Sequence, residues 1–396
     1  MKENSPAAAQ AETPSASTQE TIPANTKNLG RRSFLKGAGM TSIALSASAL
    51  LLNASQAEAK DDNDKKDRHD NDNDDKAQEK ASNLTAGDVA ILRFLAAAEL
   101  LETDLWQQYA ELGGVTSGRQ NPYQKALARL DGDGSQYITS NTLDELSHAE
   151  FLNAYLLSKG AEPVDLDVFR TLPSSQAAGA QQTGRLTNLM NLTVDTSWYT
   201  RYRSTDNPDL GGTFPQAIDL VNVPAIPRND DDFGPKDHIQ AIANTAAFHF
   251  AMIEQGGSTL YSAMAQKASN LEVLRIVVSI GGDEVAHFLE WVDFAGNGVQ
   301  TPIAPFTDPT NGLTFPDFNA TGNPELQTNL IFPIPCEFIS SKLPRCAVIR
   351  PTSPKGIAMG VVNFLTGTGL FAGQPPAFFK ALATLARQAD AAKRGF

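Results

Sequence analysis

Residues 144–148 read Asp-Glu-Leu-Ser-His, and residues 283–287 read Asp-Glu-Val-Ala-His. Each word sets a glutamate three residues before a histidine. On a helix, positions i and i+3 share a face. Glu145 with His148, and Glu284 with His287, therefore each offer a carboxylate and an imidazole to one ion. The chain holds five histidines in 396 residues, and two of them fall in this word. A single such pair is a weak signal, but its repetition is a strong one. A dinuclear site in a four-helix bundle takes one further glutamate from each of the other two helices.

Working outward, Leu92, Leu95, Trp106 and Tyr109 recur on one face of a helix running from about Asp88 to residue 112. The second helix fits residues 140–158, with Ser140 or Asn141 as its cap and Gly160 as its stop. The third and fourth fit residues 237–268 and 270–295. The third contains one glutamate, Glu254, whereas the first offers both Glu99 and Glu102 on the same face. Tyr261 follows Glu254 by two helical turns, and Tyr109 follows Glu102 likewise, whereas Glu99 has Trp106 in that place. This internal symmetry favours Glu102 as the ligand, with Glu99 as the alternative carboxylate.

Asp144 and Asp283 precede the two histidines by four residues and are placed to orient an imidazole, each on the opposing helix. Tyr109 and Tyr261 are either core aromatics or hydrogen-bond partners of the bridging carboxylates. The second role is favoured, because a buried hydroxyl needs a partner. Gly257 and Gly281 lie one turn from a ligand glutamate and either open space for a small oxidant or allow close helix packing. His249 lies about 140° around the helix from Glu254 and reads as a packed histidine. Four carboxylates gathered in a bundle core repel one another unless cations neutralise them. Two divalent ions cancel the four charges, and the oxygen-rich set with two neutral imidazoles suits iron or manganese.

The set Glu102, Glu145-x-x-His148, Glu254, Glu284-x-x-His287 resembles the ferritin-like di-metal carboxylate superfamily. The stretch Leu143–Leu156, in an exported context, is similar to its desiccation-related, stress-associated branch. The resemblance implies an all-α core: a ferritin-like four-helix bundle over residues 85–295 with a long crossover, 161–236, between the second and third helices. It implies that Glu145 and Glu284 bridge two iron or manganese ions, with Glu102 and Glu254 as terminal ligands and one histidine on each metal. The implied chemistry is redox work on O₂ or H₂O₂, either metal-ion oxidation or peroxide disproportionation. Tyr109 or Tyr261 would donate a hydrogen bond or an electron. The alternative is a non-catalytic stress or structural protein that keeps the bundle without turnover. No short fifth helix of the cage-forming kind is evident, which argues against a 24-subunit shell. The choice between monomer and homo-oligomer stays open.

The flanks point to export. Arg31-Arg32-Ser33-Phe34-Leu35-Lys36 precedes an uncharged run to Leu52, and Ala57-Glu58-Ala59 offers a cleavage site. Residues 1–59 thus look like a twin-arginine signal peptide, read by that export machinery, and the expected location is periplasmic or secreted. Residues 60–80 are a charged stretch almost without aliphatic side chains, expected to be a disordered linker. Residues 296–396 carry 12 of the 23 prolines and read as a largely irregular extension with a terminal helix near Pro376–Lys393. Its uncharged part, Gly356 to Phe379, is broken by Gly and Pro, so a buried segment is expected and not stable membrane insertion. Cys336 and Cys346 are expected to pair outside the cytoplasm. A net charge of −13 argues against nucleic acid as a partner.

Overall fold

Thr85 opens the first helix. Its hydroxyl accepts from Asp88 N at 3.0 Å, and the Asp88 carboxylate accepts in return from Thr85 N, so two backbone donors of the first turn are satisfied. The same carboxylate accepts from Ser269 N at 2.8 Å. This pins the start of the first helix to the loop between the third and fourth long helices. The computed structural model describes residues 84–115, 121–204, 214–323, 326, 333–334, 339–348 and 354–395. The signal segment, the charged linker and Cys336 lie outside the described residues.

From that cap run α1 (Ala86–Gly113), a short α2 (Pro122–Leu130) and α3 (Gly134–Ser158). Asn121 caps α2 by accepting from Gln124 N at 2.8 Å, and Pro122 occupies its first turn. The helix α3 starts well before the expected cap at Ser140 or Asn141. Nothing between 134 and 140 breaks it, and Asn141 is buried inside it. Gly134 is needed there because a Cβ at that position would run into the Phe294 ring. Gly160 takes the left-handed conformation, φ +71°, and Ala161 N returns to Leu156 O at 2.9 Å. This closes α3 as a glycine-ended helix closes.

The crossover contains an antiparallel pair, β1 (Leu192–Val194) with β2 (Leu220–Val223), and a single-turn α4 (Ser197–Arg201). Then come α5 (Lys236–Ala265) and α6 (Leu271–Asn297), the latter capped by Asn270. α1 lies along α3 and α5 along α6; these four long helices form the all-α core. In the extension, β3 (Phe306–Thr307) pairs with β4 (Thr314–Phe315), and β5 (Pro333–Ile334) with β6 (Cys346–Ala347). Two helices follow: α7 (Ile357–Gly367), which the sequence reading did not single out, and α8 (Pro376–Ala391). α7 packs on α5 and α8, and α8 packs on α1. Asp390 of α8 accepts from Ala358 N and Met359 N at 3.0 Å each, capping α7. No helix among the described residues is long and apolar enough to cross a membrane.

The crossover is fastened to the bundle by Asp104 of α1, which is fully buried. Its carboxylate accepts from Leu186 N at 3.0 Å, Thr187 N at 2.9 Å and the Thr187 hydroxyl at 2.7 Å, and meets Arg170 at 2.7 Å. Removing one partner of such a buried network leaves the others without theirs. Asp104→Ala is therefore expected to lower unfolding stability by about 3 kcal/mol, read from the urea midpoint. An unchanged midpoint would show that the crossover docks without this anchor.

Candidate metal centre

The core face of each long helix delivers one carboxylate or one carboxylate–imidazole pair. α1 presents Glu99, α3 Glu145 and His148, α5 Glu254, and α6 Glu284 and His287. All four glutamates are 0% exposed. One ligand atom each from Glu99, Glu145, His148 and Glu284 lies within 4.8 Å of the others, and the same holds for Glu145, Glu254 and His287. Glu145 belongs to both groups. Its Oε2 is 3.2 Å from His148 Nδ1 and its Oε1 is 3.2 Å from His287 Nδ1. The geometry thus makes Glu145 the carboxylate shared by two positions, one with Glu99, His148 and Glu284, the other with Glu254 and His287.

Both imidazoles turn Nδ1 inward and Nε2 toward the surface. His148 Nε2 lies 3.2 Å from Asp283 Oδ2, and His287 Nε2 lies 3.4 Å from Asp144 Oδ2. Each aspartate thus holds the ring of the opposing helix, and both aspartate side chains remain nearly half-exposed. Asp144, Asp283 and His287 form a third close group at this edge.

The carboxylates are braced reciprocally across the bundle. Trp106, seven residues after Glu99, donates its indole N–H to Glu254 Oε1 at 3.0 Å. Tyr261, seven residues after Glu254, donates its hydroxyl to Glu99. These two donors relate Glu99 to Glu254, whereas the expected symmetry paired Glu102 with Glu254. Glu102 is in none of the close groups. It sits about 60° from Glu99 on the helical wheel, lines a neighbouring cavity, and stays close enough to the cluster that burial and the charges of Glu99, Glu145 and Glu254 raise its pKa well above the ordinary range.

Tyr109 differs as well. Its hydroxyl lies 2.8 Å from His249 Nδ1 and meets no carboxylate of the cluster. His249 is fully buried, and burial pushes its pKa down to about 3, so it stays neutral. Gly257 and Gly281 both serve close approach. A Cβ on Gly257 would run into Glu284 Oε2, and one on Gly281 would meet Tyr261 Cβ.

Two contributors escaped the sequence reading. Asn141 donates to Glu145 Oε1 at 2.7 Å and to Glu254 Oε1 at 3.2 Å, and accepts from Trp291 Nε1 at 2.6 Å. Its position one turn before Glu145 on the same face is the signal that could have found it. Trp291 stands in the same way one turn after His287.

Burial raises Glu99 to about 7, against the opposing pull of His148. It also raises Glu284 well above the ordinary range, helped by the charges of Glu145 and Glu102. Burial works against a charged His148, but Asp283, Glu145 and Glu99 outweigh it and push its pKa up to about 12. Glu99 Oε2, Glu102 Oε2 and both oxygens of Glu284 are buried without a hydrogen-bond donor. A buried carboxylate oxygen with no donor is costly unless a cation faces it. An oxygen-rich set with one imidazole nitrogen per position fits hard or borderline divalent ions. The residues present therefore fit a pair of such ions.

A family model for a ferritin-like domain matches residues 87–291. No curated protein and no solved structure gives a match.

In the metal-free protein, Glu99 goes from an ordinary 4.5 to about 7 on folding. Its stabilising contribution is complete below pH 4.5 and is lost as the pH rises through about 7. Glu284 and His148 are displaced in the same direction. The melting temperature of metal-free protein is thus expected to fall between about pH 5 and about pH 8, with Glu99→Gln flattening that fall. Circular dichroism melts across this range check it, and a metal-free protein more stable at the alkaline end would contradict the assignment.

Proposed function

The chain belongs to the ferritin-like family over residues 87–291, and from that premise we propose that it is an exported redox protein of stress protection. It would hold two iron or manganese ions and act on O₂ or H₂O₂ by metal-ion oxidation or peroxide detoxification. The observation that carries the reading is the set of buried carboxylate oxygens without donors at Glu99 and Glu284, which the Nδ1 of His148 faces, while the Nδ1 of His287 faces Glu145 and Glu254. Export rests on the Arg31-Arg32 segment and the cleavage-like Ala57-Glu58-Ala59, which suit transport of a protein already folded around its metal.

The ligands would be Glu99, Glu145, His148 and Glu284 on one side and Glu145, Glu254 and His287 on the other. Bound there, two redox-active ions supply the electron changes that none of these side chains provides. The rest is the work of the chain. Asp283 and Asp144 fix the rings of His148 and His287, so that Nδ1 stays inward. Trp106 and Asn141 hold the Glu254 carboxylate, and the Tyr261 hydroxyl holds Glu99 and keeps a proton at its Oε1. The packed rings of Trp106, Phe250 and Trp291 wall the site against water.

Metal analysis of protein taken from its native compartment is expected to give two iron or manganese ions per chain. His148→Ala and Glu284→Ala should abolish that content together with Fe²⁺ oxidation, while Asp283→Asn should weaken metal affinity by roughly 10- to 100-fold. A wild-type protein that carries both ions yet consumes neither Fe²⁺ with O₂ nor peroxide would sink the redox reading and leave the non-catalytic stress protein in its place.

A further inference from the structure

We infer that the C-terminal helices cover an apolar chamber that supplies dioxygen to the metal centre from this side of the bundle; this rests on the redox reading above. α7 and α8 lie over the groove between α1 and α5 and leave a cavity of about 40 Å³. Phe94, Leu101, Leu260, Val362 and Leu382 are among its walls. Of the 18 residues that line it, Glu102 alone has a polar side chain.

The glycine pair of α5 makes the space. A Cβ on Gly256 would meet nothing within 4 Å, whereas one on Gly257 would strike Glu284 Oε2. Both glycines line the chamber. The backbone of Gly257 is thus the partition between an apolar space and a carboxylate of the metal centre. Glu102 stands in the same wall, its Oε2 buried and without a donor.

The size and the lining select the occupant. The volume exceeds what one water needs and falls well short of the ~150 Å³ that holds benzene, so a diatomic molecule fits and an acyl chain does not. Apolar cavities stay dry, because a water or peroxide inside them loses hydrogen bonds that the walls cannot return. Glu102 is the one polar side chain in the lining, short of the two to four partners that hold a buried water. O₂ has no such bonds to lose and partitions into the chamber from water. The chamber also lies away from the acidic Asp144–Asp283 edge on α3 and α6, so gas and cations reach the centre from different sides of the bundle.

Xenon, an apolar atom held by dispersion alone, is the probe. Metal-free wild type is expected to bind it saturably in the chamber, read by xenon NMR and by the electron density of pressurised crystals. Gly256→Leu should abolish that binding, and because leucine favours a helix over glycine the fold is kept. Ala98→Phe fills the space from the α1 wall and should do the same. In the metal-loaded variants, Fe²⁺ oxidation by O₂ should slow at least about tenfold, with metal content and any peroxide consumption unchanged. Absence of xenon from the wild-type chamber overturns the proposal, as does wild-type O₂ kinetics in a variant that no longer binds xenon. Xenon bound in a wild type that consumes no O₂ overturns the redox reading and leaves the gas chamber standing.

Discussion

Four glutamate carboxylates lie side by side in a bundle interior that has no bulk water to solvate them, and the rest of the structure answers to that constraint. Two unit charges about 4 Å apart repel by about 4 kcal/mol at the effective dielectric of a protein, and each burial adds its own desolvation. Without cations the cluster holds together by taking up protons, which is why Glu99 and Glu284 are displaced upward and His148 is driven to its charged form. Protons and divalent ions therefore compete for one set of oxygens. The half-exposed aspartates at the α3–α6 edge connect that set to solvent.

Carboxylates that repel will drift unless they are held from both sides, and the bracing is nearly symmetric. Trp106 of α1 reaches Glu254 of α5, and Tyr261 of α5 reaches Glu99 of α1. Neither donor is a charge, so neither cancels the field that would hold a cation. Asn141 adds a third uncharged donor, fixed in turn by Trp291. Networks of this kind set the positions of the side chains they join, while Glu99 Oε2 and both oxygens of Glu284 are left for a cation.

The bundle was legible in the sequence because its signals are local. Two Glu-x-x-His words, one glutamate in the third helix and the helical spacing of Leu92, Leu95 and Trp106 place the four long helices to within a few residues at every end except the start of α3. The choice between Glu99 and Glu102 was not legible in that way. The seven-residue spacing in the sequence pairs two tyrosines, whereas the ring that reaches across from α1 is the indole of Trp106; which donor meets which acceptor depends on the offset between helices, a tertiary quantity. Tyr109 fell to the same cause, since His249 from α5 stands opposite it. The helix α7 is hard to read because Ile357–Gly367 is short, glycine-interrupted and without a charged residue or a local side-chain cap; its cap comes from Asp390, more than 30 residues away.

That helix also shows why the extension cannot be treated as an appendage. Phe94, Leu101 and Leu260 face outward from the α1–α5 pair, yet are at most 5% exposed, because α7 and α8 cover them. A bare four-helix bundle would leave this groove open to water on the side where Gly257 brings solvent closest to Glu284. Covering it turns a two-sided site into one with a single polar edge, where Asp144 and Asp283 stand. On a chain of net charge −13, that edge is where the field draws cations in, since charge of one sign near a low-dielectric wall concentrates counter-ions. The extension thus acts on the centre through what it excludes, leaving the acidic edge as the path for charge and the apolar side for species without any.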